Sequence, residues 1–111
     1  MRVLAVVILC LVSISAWAQF ADTENGSKMH WAWTSYQKDT AHPGYEIGYF
    51  MGVVSGVVSL GTGWFDIPEG VSFTQVCAVV GKYVEAHPEM WGESAGYVAV
   101  RALRGKWPIV K

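Results

Sequence analysis

Cysteine is nearly missing from this chain: its 111 residues hold two, Cys10 and Cys77. Cys10 lies in an N-terminal apolar run expected to be removed, so the working chain keeps one thiol and no internal disulfide can form. Small domains in oxidising compartments often rely on such cross-links. Here packing, with association as a further source, has to supply the stability. Charge is also sparse, at 15% of residues. Beyond the leader, seven basic residues against nine acidic ones leave −2, with no basic stripe. That excludes the electrostatic footprint of a nucleic-acid binder. Strict apolar–polar alternation is absent, so no segment reads as a half-buried strand. No pair among His30, His42 and His87 has metal-ligand spacing such as H-x-x-x-H, and two of the three precede prolines. There is no nucleophile elbow and no phosphate loop. Cys77 sits among valines without a basic neighbour, so it reads as a small core residue and not a nucleophile. The expectation is a chain with no catalytic residues, no metal and no cofactor.

What is present begins with a leader. Arg2 supplies a positive end, Val3 to Val12 form an apolar run, and Ala16-Trp17-Ala18 has the small-x-small pattern of a cleavage site. A run of about ten residues falls short of the roughly 20 that span a bilayer. Residues 1–18 are therefore read as a cleaved signal peptide. Residues 19–26 are read as a flexible lead-in, and 27–111 as one domain outside the cytoplasm.

Helical periodicity fills that domain. Met29, Ala32, Trp33 and Tyr36 fall at i, i+3, i+4, i+7 and predict a helix from Ser27 to about Lys38, broken by His42-Pro43-Gly44. Tyr45 to Leu60 has almost no polar face. Gly48, Gly52 and Gly56 recur every fourth residue and line one side of it. Each costs roughly 1 kcal/mol of helix propensity, which predicts a central helix, buried on all sides, whose glycines admit a neighbouring backbone. A membrane span over 47–65 is the competing reading, since that stretch is uncharged and spaced glycines mark membrane helix pairs. Gly61-Thr62-Gly63 and the lack of basic flanks weigh against it. Ser72 and Gln75 form a capping box, with Val71 and Val76 as a hydrophobic staple. Val76, Val79, Val80, Tyr83 and Val84 give the next buried stripe, up to Pro88. A last helix is expected from about Glu93 to Leu103, with Arg101 and Arg104 complementing its dipole and Gly105 closing it. The fold class is all-α: a compact bundle of four principal helices with a glycine-faced central helix.

The aromatic content points to a surface function. Trp33 belongs to a core stripe, and Trp31 must face elsewhere. Trp64 lies in a glycine-rich loop followed by Phe65 and Asp66, the setting of an exposed interface anchor. The alternative is that Trp64 folds back over the glycine-lined helix.

The order of motifs is also distinctive. Gly48-Tyr49-Phe50-Met51-Gly52-Val53 is a G-Y-x-x-G-v element, followed by Ile67-Pro68-Glu69-Gly70-Val71-Ser72. Val80 to Glu89 gives v-x-k-Y-l-x-x-H-P-e, with Tyr83, His87 and Pro88, and Trp107-Pro108 closes the series. In this order the chain resembles the Rap/Tai family of periplasmic immunity proteins, which protect bacteria from peptidoglycan amidases delivered by type VI secretion. The resemblance covers about residues 26–108. It implies a helical fold, frequent self-association as a homodimer or other homo-oligomer, no catalysis, no stable membrane insertion, and inhibition by plugging a cognate amidase effector. The motif glycines Gly48 and Gly52, with Tyr49, Pro68, Tyr83, His87, Pro88, Trp107 and Pro108, are then structural. Trp64, Phe65, Asp66 and Glu69 are the candidate partner contacts. Family members often carry cysteines where this chain has Glu46, Asp66 and Ile109. The missing disulfides remove about 2–4 kcal/mol each. A second hypothesis, motivated by the tryptophans, is a periplasmic accessory module that binds cell-wall fragments or another small ligand.

Overall fold

The computed structural model describes residues 24–38 and 44–110. The leader (1–18), most of the lead-in and the His42-Pro43 break lie outside the described residues. Four helices follow in order: α1 (Gly26–Lys38), α2 (Tyr45–Leu60), α3 (Phe73–Ala86) and α4 (Ala95–Lys106), with a short 3-10 turn (Pro88–Met90) between the last two. The closest pairings join α1 with α2 and α3 with α4, and α2 also lies against α4. The all-α bundle is as the periodicity predicted. Among the described residues no helix is long and apolar enough to cross a membrane, and the stretch 47–65 is not one helix, since α2 ends at Leu60.

Helix α3 shows how local chemistry sets an element. The Ser72 hydroxyl accepts from the Gln75 N–H, and the Gln75 side chain accepts from the Ser72 N–H at 2.7 Å. Two otherwise orphaned donors are thereby satisfied. Val76, Cys77, Val80, Gly81 and Val84 are buried along one stripe. Burying a valine-sized side chain stabilises by about 1.5–3 kcal/mol. Burial pushes the Cys77 thiol up to about 11, so it stays protonated and serves as packing.

Gly81 makes room for the largest core residue. A Cβ at that position would fall inside the Trp33 indole, so the ring lies flat on the α3 backbone. The Trp33 Nε1–H donates to Glu85 at 3.1 Å, and the ring meets Tyr36 and Phe50 at centroid distances of 5.5 Å.

Two boundaries differ from the sequence reading. Helix α4 runs from Ala95 to Lys106, through Gly105, and is capped by Trp107. Its end is set by Pro108, because a residue preceding proline is driven out of the α region. The lead-in is also fixed by its last residues. Asn25 pairs antiparallel with Ser94, the Gly26 N–H donates to the Glu93 carbonyl, and the Ala95 N–H donates to the Glu24 carbonyl. The start of α1 is thereby tied to the start of α4.

The main correction concerns α2. It is not buried on all sides: of its 16 residues only Ile47, Phe50 and Val54 are buried. Gly48, Gly52 and Gly56 are exposed, and a Cβ at any of them would meet nothing within 4 Å. Among the described residues no backbone packs on the glycine face. It is open.

Candidate functional site

The open face of α2 and the adjoining face of α4 together form a groove. Its floor is Gly52, Gly56 and Gly96, and Val53 and Val57 rise from α2. At one end a pocket of about 440 Å³ is lined by Val57, Leu60, Trp64, Tyr97, Val100 and Arg104. Glycines at 52, 56 and 96 leave a channel that side chains would have filled. The rim is apolar and solvated: Leu60 is 82% exposed, Trp64 55% and Tyr97 46%. Clustered aromatic and aliphatic side chains held in water mark an interaction surface more than a folding requirement.

The other end, about 600 Å³, reaches Glu24, Tyr49 and Ser94. Here Lys28 donates to Glu24 at 3.0 Å and to the Tyr45 hydroxyl at 2.9 Å, and its ammonium lies 4.4 Å from the Tyr49 ring centroid. The Lys28 hydrogen bond holds the Glu24 carboxyl below its ordinary pKa. The Tyr45 hydroxyl, then Glu24, raises the pKa of Lys28. The Tyr49 hydroxyl is buried without a hydrogen-bond partner among the described residues. Burial and then the nearby Glu24 carboxylate push its pKa well above the ordinary tyrosine value. Glu24 is close enough for that effect but outside hydrogen-bonding geometry. An unsatisfied buried hydroxyl costs about 1–3 kcal/mol.

The four candidate contacts of the 64–70 loop separate. Trp64 stands at the groove end, and its N–H donates to the Gly61 carbonyl at 2.9 Å. It neither leaves the protein surface nor covers the glycine face; it flanks the groove. Phe65 turns inward, 5% exposed, against Gly61, so its side chain offers a partner almost nothing. Asp66 is exposed, with its N–H donating to the Trp107 carbonyl at 2.9 Å, and Glu69 is exposed further along.

The motif residues take different positions. Tyr49 enters the groove end, and Gly48 and Gly52 lie on the open face. Pro68 is exposed in the loop. Tyr83 and His87 stack at 3.9 Å, Pro88 opens the 3-10 turn, Trp107 caps α4 and Pro108 follows it. Among the described residues no three His, Cys, Asp or Glu side chains gather as metal ligands. The sequence reading missed Gly96, Tyr97, Val100 and Arg104. A signal existed: Tyr97 and Val100 are apolar residues off the buried stripe of α4, next to a glycine.

A preformed apolar groove on a small helical bundle, rimmed by an exposed tryptophan, defines a protein that works by binding a partner. The family model of the Rap1a immunity proteins matches residues 16–109. The chain belongs to the Rap1a immunity protein family. Comparison with curated proteins and with solved structures gives no match.

Proposed function

We propose that this is a periplasmic immunity protein that binds and blocks a peptidoglycan amidase effector of a type VI secretion system, and that it performs no reaction itself. The open groove between α2 and α4, with Trp64 at its end, carries the reading. Residues 1–18 direct export, so antidote and effector meet where the cell wall is. The effector seats an apolar segment along the glycine floor, Trp64 packs beside it, and Asp66 and Glu69 supply the acidic flank. A complex of this kind buries roughly 1,600 Å², and the exposed Leu60, Trp64 and Tyr97 are the anchors that lose water. The same face, when free, is the contact for self-association into a homodimer, which effector binding would compete away.

The accessory-module reading fits the groove less well. Its Trp64 end is walled by aliphatic and aromatic groups, with Arg104 the one charged side chain, whereas glycans need many hydrogen-bonding partners. The deciding experiment titrates the purified protein into peptidoglycan amidase effectors of type VI secretion systems, beginning with any encoded next to its gene. Stoichiometric inhibition that is weakened by Trp64→Ala is the expected result. Retention on cell-wall sacculi without any inhibition would overturn the proposal.

A further inference from the structure

Next to the groove, with Arg104 on the edge common to both, lies a second concavity of about 630 Å³, lined by Tyr83, His87, Glu89, Met90, Arg101 and Arg104. Arg101 and Arg104 are one helical turn apart on α4, so both guanidiniums line the same hollow. Among the described residues the one ion pair is Lys28–Glu24, so neither arginine is neutralised by a carboxylate at ion-pair distance. Favourable interaction with the carbonyls at the α4 C-terminus accounts for cations there, but not for two of them converging on a pocket.

The other walls are preorganised. The His87 ring lies flat on Tyr83 at 3.9 Å, and its Nδ1 is 2.8 Å from the Tyr83 carbonyl oxygen. Donation to that carbonyl fixes the tautomer and leaves Nε2 unused by this bond. The Tyr83 hydroxyl, then Tyr97, holds Arg101 above its ordinary pKa. Two guanidiniums against the single carboxylate of Glu89 leave one net positive charge at the pocket. That balance suits a monoanion and disfavours a polyphosphate. A guanidinium fork matches a carboxylate with two parallel hydrogen bonds, and Met90 offers an apolar wall for what the carboxylate is attached to.

We infer that the Tyr83–Arg101–Arg104 pocket is a binding site for the free C-terminal carboxylate of a short peptide, with the arginines taking the carboxylate and Met90 packing against the last side chain. The pocket adjoins the Trp64 end of the α2–α4 groove, with Arg104 lining both and Arg101 lining this pocket alone, and its test does not involve the effector.

The test titrates the full protein with N-acetyl-Ala-Ala in two forms, free acid and C-terminal amide, at constant ionic strength, followed by NMR of the arginine side-chain N–H groups. The expected result is saturable movement of the Arg101 and Arg104 signals with the acid and not with the amide. The R101Q/R104Q variant should bind at least about tenfold more weakly, a difference of about 1.4 kcal/mol, with an unchanged melting temperature. Arg104→Lys, which keeps the charge but loses the fork, should fall between. Equal shifts with acid and amide would overturn the assignment, as would acid binding that survives in R101Q/R104Q. Equal response to acetate and to inorganic phosphate would reduce the pocket to general charge attraction and overturn it as well.

Discussion

Helices α2 and α3 are similar in length and both rich in valine, yet they meet water differently. In α3 the apolar residues form one stripe that the bundle covers, and a capping box fixes the start. In α2 the apolar residues run all round, and the bundle covers only Ile47, Phe50 and Val54. Tyr49, Val53, Val57 and Val58 pack half-buried against the core, while Met51 and Leu60 remain exposed. An amphipathic helix has what its own domain requires; an all-apolar helix that remains half in water carries surface for something else. The glycines sharpen the contrast. Gly81 on α3 is required by an internal neighbour, whereas a Cβ at Gly52 or Gly56 on α2 would meet nothing within 4 Å among the described residues.

The contrast between the two faces of α2 can be broken by substitution. Phe50, fully buried, belongs to the folding face, so Phe50→Ala should cost about 3–5 kcal/mol in chemical denaturation. A loss under 1 kcal/mol would mean that the core does not depend on that face. Trp64→Ala, at the groove end, should leave stability within about 0.5 kcal/mol while weakening effector binding by more than about 1 kcal/mol. Calorimetry on the complex and on the free protein separates the two effects. Gly52→Ala and Gly56→Ala should each raise helix stability by about 0.5–1 kcal/mol and at the same time impair binding, because a methyl group would stand in the channel. A drop in melting temperature would show that the glycine face is packed after all. The smallest effect is expected on α3: with its thiol pushed up to about 11, Cys77 should react with a disulfide reagent at pH 8 only as fast as the chain unfolds. Rapid labelling of the native protein would contradict its burial.

The fold was largely legible because each helix carries its own punctuation. The Ser72–Gln75 box, Pro88 and the Gly61 break set the bounds of α2 and α3 to the residue. At α4 the glycine signal misleads: the exposed Gly105 is tolerated within the helix, and Pro108 governs where it ends. The site was half legible. Trp64 could be singled out as an aromatic in a glycine loop, yet its neighbour Phe65 has the same local chemistry and turns inward. Only the packing against Gly61 distinguishes them. The glycine stripe of α2 was visible, but not what it faces. Period-four glycines describe a smooth helix side equally well whether the backbone that approaches it belongs to the same chain or to another molecule. Tyr97 and Arg104 became part of the site through the α2–α4 pairing, a long-range fact with no local signature.

The seating of Trp33 against Gly81 also constrains how this chain can drift. Any side chain gained at 81 collides with the indole, and any smaller residue at 33 leaves a hole over a bare backbone. Neither position can change alone without a penalty, so a tolerated change at one requires a compensating change at the other. The open side of α2 is under no such constraint: a side chain added at Gly48, Gly52 or Gly56 meets nothing within 4 Å among the described residues.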